Sequence, residues 1–169
     1  MPDPGLLLQL AEIAGIFVGF GALISVRSAD SSDPFVVSTI RYVTWVGVWV
    51  LMSSLTPAAL SRFGLAGRTL WLPSAVLALV LFVVLWLTDT FSPESKSFGK
   101  MDSRPLLRLR ALYLGVGGPL VLGLIGSLVV VALDIWPEAA QGLYFAAVSL
   151  GMALAGLTLL TVVFIAPHR

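Results

Sequence analysis

Cysteine is absent, histidine occurs once, at position 168, and charged residues make up only 11% of the 169-residue chain. Without cysteine there are no disulfides, thiolate metal sites or cysteine nucleophiles, and one histidine supplies neither a histidine-based metal centre nor Ser-His-Asp machinery. An excess of either charge is missing too. Ten Lys and Arg against nine Asp and Glu leave a net +1, which rules out a polybasic nucleic-acid binder, whose basic residues must cluster on a solvated face. A soluble domain of this length needs a polar skin drawn from a charged fraction of about 25%, and this chain cannot supply one. What fills the gap is apolar, with 58% hydrophobic residues and a mean hydropathy of +1.00. These figures mark an integral membrane protein.

A helix crosses the roughly 30 Å hydrocarbon layer with about 20 apolar residues, because each rises about 1.5 Å and its backbone groups are satisfied only within the helix. Five stretches qualify, at about 6–26, 35–60, 70–88, 111–133 and 142–166. The first lacks the basic flank and cleavage pattern of a signal peptide and contains Glu12, so it reads as a permanent span. The expected fold is an all-α, polytopic transmembrane bundle of five spans forming one domain, 1–169, with no internal repeat. Basic residues in short loops stay on the cytoplasmic side. Arg27, Arg41, Lys96, Lys100, Arg104, Arg108, Arg110 and Arg169 fall on one face, and only Arg62 and Arg68 on the other. Eight against two places the N-terminus outside and the C-terminus inside. Trp71 and Trp86 bracket the third span in agreement. The 89–110 loop is then cytoplasmic, and Ser103 ahead of Pro105 reads as the capped start of the fourth helix. The short loops and missing cysteines fit a bacterial inner membrane.

Membrane helices associate by close backbone approach, so small residues at spacings of three and four mark packing faces. The fifth span carries Gly142, Ala146, Ser149, Ala153 and Gly156, and the first carries Ala11, Gly15 and Gly19, with Glu12 near that face and so expected toward protein. Tyr42, Trp45 and Trp49 form an aromatic ridge on the second span, read as a lipid or helix contact ahead of a ligand box. Gly115, Gly118 and Pro119 predict a break or hinge in the fourth span, since Pro119 cannot donate to the Gly115 carbonyl.

Glu12 is the one acid deep within a span, about 9 Å below its boundary at Leu6. A carboxylate there costs several kcal/mol unless paired, hydrated or protonated. At the same depth the spans bring Ser53, Ser54 and Thr56, Ser74, Ser127, and Tyr144 and Ser149, and Pro57 frees the carbonyl of Ser53. A titratable carboxylate, hydroxyl ligands and an open carbonyl suit an ion or proton site. The competing reading makes the hydroxyls ordinary backbone-bonded glue and Glu12 a helix clamp. No P-loop, dinucleotide fingerprint, H-E-x-x-H or nucleophile-base pair is present, so no enzyme activity, cofactor or metal is expected. Two functions remain. One is a small channel or transporter for an ion or small solute, with Glu12 available for proton linkage, working as a homo-oligomer in the lipid bilayer. The other is a noncatalytic adaptor or assembly subunit that packs against another membrane protein.

Overall fold

The computed structural model describes residues 4–27, 34–91 and 113–165, with side chains described within 8–19, 40–88, 90–91 and 115–160. Residues 92–112, with the expected Ser103 cap and Arg104, Arg108 and Arg110, lie outside the described residues, as does the chain beyond 165. Among the described residues the fold is all-helical. Helix α1 is Pro4–Arg27, α2 Pro34–Arg62, α3 Arg68–Thr90, α4 Gly118–Ala132 and α5 Ala140–Ile165. A π-helical turn, Tyr113–Gly117, leads into α4 and a single 3₁₀ turn, Pro137–Ala139, into α5. Four stretches, Ile40–Arg62, Arg68–Thr88, Gly115–Ala132 and Pro137–Leu160, are long and apolar enough to cross a membrane, and Leu8–Gly19 adds a shorter apolar stretch within α1. The chain is on this evidence an integral membrane protein.

Helices α2, α3, α4 and α5 pack as a ring in which each touches the next and α5 closes back onto α2, while α1 lies outside it against α2 and barely reaches α5. Lipid is as apolar as leucine, so van der Waals fit rather than water exclusion holds such a bundle together. The fit is tightest at two glycines. A Cβ on Gly47 would come within 2.8 Å of Val18 and within 4 Å of the α1 backbone at Ala14, which lets α1 lie down on α2. A Cβ on Gly151 would come within 2.5 Å of the Trp49 ring, so α5 owes its approach to α2 to that missing methyl. Trp49 is fully buried, donates its indole N–H to the Ala78 carbonyl at 2.8 Å and meets Phe82 edge-on at 5.8 Å, which ties α2 to α3.

The α2–α3 and α4–α5 connections share one end of the bundle. There α4 closes with a Schellman arrangement, Ile135 N–H donating to Val130 and Asp134 N–H to Val131. Asp134 takes the left-handed position usually given to glycine, with φ 56°, and its carboxylate accepts from Arg68 at 2.8 Å. One side chain thus ends α4 and clips it to the start of α3.

The break expected around Gly115, Gly118 and Pro119 takes another form. The chain stays right-handed and helical through Gly117 (φ −65°, ψ −39°) into α4. Ahead of Pro119 the hydrogen-bond register widens to the π pattern, so the proline is accommodated by one broadened turn rather than a gap. At Pro57 α2 likewise runs on without interruption.

Candidate functional site

The polar layer is best built from Pro57 outward. A proline within a helix leaves the carbonyl four residues earlier without its N–H, and on α2 that carbonyl belongs to Ser53. The vacancy is filled from another helix: the Tyr144 hydroxyl of α5 donates to the Ser53 carbonyl at 2.6 Å, with both residues buried. Trp71 of α3 packs on the Tyr144 ring at a centroid distance of 5.6 Å, so three helices meet at this bond. A buried acceptor left open in lipid would cost of order 1–3 kcal/mol, and the tyrosine removes that cost while fixing α5 against α2.

The other hydroxyls divide into two groups. Thr56 donates to the Met52 carbonyl, Ser74 to Leu70 and Ser127 to Gly123, each one turn back on its own helix. In these three the donor is used within the helix, and only the oxygen lone pairs are left for another partner. Ser53 and Ser54 differ. Both are fully buried, and neither hydroxyl has a hydrogen-bond partner among the described residues. Ser149 is half-buried on α5. Of the residues expected to converge, then, only Ser53 and Tyr144 are joined, with Pro57 the cause and Ser54 their neighbour.

Glu12 is placed on the opposite side of α1 from the bundle. Two residues on a helix are separated by roughly 200° of rotation, so the full burial of Ala14 against α2 turns Glu12 outward, where it is exposed. Gln9, Ile13, Ile16 and Gly19 are exposed as well, Ile16 at 69%. The expectation that Glu12 points toward protein within the chain is therefore corrected. The reason is that the α1–α2 seam runs through Ala14 and Val18, which meet Gly47, and through buried Ala11, so that of the expected stripe only Ala11 faces inward and Gly15 and Gly19 do not. Gly15 only grazes Leu51 at 4.0 Å, and nothing approaches Gly19. The depth assignment is compatible with this packing, because the pairing of Gly15 with Leu51 and Val18 with Gly47 puts Glu12 level with Ser53 and Ser54.

On α5 the seam is displaced in the same way. Gly142 and Ala153 are exposed, Ala146 and Gly156 half-exposed, and a Cβ on Gly142 or Gly156 would meet nothing within 4 Å. The face turned inward is Tyr144, Ala147, Val148, Gly151, Leu154, Ala155 and Thr158. Sequence reasoning missed Gly47 and Gly151. The signal was available in each, a lone glycine in helical register with bulky residues on its own or the facing helix.

A cavity of about 50 Å³ lies between α2, α3, α4 and α5, walled by the Tyr42–Trp45–Trp49 ridge with Phe82, Trp86, Leu124 and Leu154. Among the described residues its walls are almost wholly apolar, and Glu12 is not one of them. No known protein family, curated protein or solved structure matches this chain.

Proposed function

We propose that this chain is a noncatalytic membrane assembly subunit, crossing the bilayer five times with its N-terminus outside, whose α1 is a docking helix for another membrane segment. One observation carries the reading. Gln9 and Glu12 are exposed together on the side of α1 that faces away from the bundle. A carboxyl group and an amide at that depth are costly against hydrocarbon, whereas intramembrane polar side chains turned toward protein are the rule. A monomer would leave both groups in lipid, so the protein works with that face covered. The self-contained Ser53–Tyr144 bond fits the same picture, since the buried polar layer there serves as glue.

Spin labels attached in native membranes test this. A label at Ile16, on the docking face, is expected to be shielded from dissolved oxygen, while one at Val80, 54% exposed on α3, is fully accessible. Equal accessibility at the two positions overturns the proposal.

A second reading, conduction or exchange of an ion or small solute, is favoured by the two unpartnered hydroxyls of Ser53 and Ser54 level with Glu12. With Glu12 turned outward, such a path runs between chains and not through one. It predicts pH-dependent flux in liposomes that is abolished by Glu12→Gln. Absence of flux from an assembled wild type removes this reading and leaves the first.

A further inference from the structure

Resting on the assembly reading, we propose that the segment covering α1 is a second copy of this chain, packed in parallel about a twofold axis along the membrane normal, with Gln9 and Glu12 of each copy bonded across the seam. The exposed residues Gln9, Glu12, Ile16 and Gly19 follow a three-four-three spacing, which is the seam of a left-handed helix pair. Along that seam the polar pair comes first, then a large apolar residue, then a glycine whose Cβ position is open. This is an order in which two identical helices grip at one end and approach closely at the other.

The chemistry favours self-association over a foreign partner. A twofold contact needs a surface complementary to itself. Gln9 brings two N–H donors and a carbonyl, and Glu12 two acceptor oxygens, with an O–H donor when neutral. Two copies therefore satisfy one another without any cation, whereas a different partner would have to bring its own hydrogen-bonding groups to that depth. The charge bias sets the relative direction. Eight basic residues on one face against two on the other orient every copy alike, so equal depths meet and the four polar groups fall in adjacent layers of one seam.

The absence of cysteine makes the test clean, because any introduced thiol is the only one. Ile16→Cys and, as a lipid-facing control, Val80→Cys are each purified and reconstituted into phosphatidylcholine–phosphatidylglycerol vesicles, then oxidised with copper phenanthroline over a series of lipid dilutions. The expected result is a disulfide-linked dimer at Ile16→Cys whose yield holds on dilution. Val80→Cys gives only a collisional yield that falls. Adding Gln9→Leu and Glu12→Leu to the Ile16→Cys chain lowers the yield several-fold. These changes touch exposed positions, and an unchanged intrinsic tryptophan emission and melting temperature report that the bundle is intact. Equal yields at the two positions, or a yield indifferent to the leucine pair, overturn the twofold. A label at Ile16 that is shielded in native membranes but bare in the purified vesicles also overturns the second copy while keeping the assembly reading. A label bare in both ends the two together.

Discussion

Gly151→Ala is expected to destabilise the bundle by about 1–3 kcal/mol, the usual range for forcing a methyl into a packed interior. The new Cβ would stand 2.5 Å and 3.0 Å from two carbons of the Trp49 ring and 3.2 Å from Val50. Neither neighbour can give way cheaply. The indole is held by its bond to the Ala78 carbonyl and by Phe82 across its edge, so moving it breaks the α2–α3 tie. Alanine's better helix propensity, worth roughly 0.5–1 kcal/mol over glycine, offsets only part of the cost. Gly156→Ala on the same helix, with nothing within 4 Å of its Cβ, keeps that gain and is expected to be neutral or slightly stabilising. Thermal unfolding of the two variants in one detergent separates them, at roughly 2–4 °C per kcal/mol for a chain of this size. Trp49→Phe in the Gly151→Ala background should recover part of the loss. A Gly151→Ala chain that melts like Gly156→Ala would show that α5 does not depend on this approach.

Tyr144→Phe is expected to cost about 1–2 kcal/mol, toward the upper end for hydrogen bonds between membrane helices, because it reopens a buried carbonyl that the helix itself cannot serve. The proline supplies the control. Pro57→Ala returns an N–H to the Ser53 carbonyl, so in that background Tyr144→Phe should cost about 0.5 kcal/mol or less, and the double-mutant cycle should report coupling of about 1 kcal/mol. An undiminished cost in the Pro57→Ala chain would assign the tyrosine's role to ring packing on Trp71 alone.

The two variants also separate what the residues disclosed from what they hid. The helices and the level of the polar layer were legible, because an apolar run of about 20 residues has few other fates, and Pro57 necessarily opens the Ser53 carbonyl. That Tyr144 would serve it was legible only as shared depth. Rotation about each helix axis was not legible. A glycine stripe permits close approach but does not say whether the approaching helix belongs to the same chain. On α1 the stripe divides, with Ala11 inward beside Ala14 and Gly15 and Gly19 outward, and on α5 Gly142 and Ala153 are outward while the inward seam runs through Gly151. Glu12 was found by residue type and misdirected for the same reason, since its orientation was inferred from the glycines beside it.

The contact of α1 and α2 through Gly47 also has a consequence for biogenesis. These are neighbours in the chain, so their hairpin can close as soon as the second helix leaves the ribosome, with little loop entropy against it. The donor for the Ser53 carbonyl arrives 91 residues later. Throughout that interval the nascent hairpin carries an uncapped acceptor in its wall, which makes the docking of α5 the step that closes it.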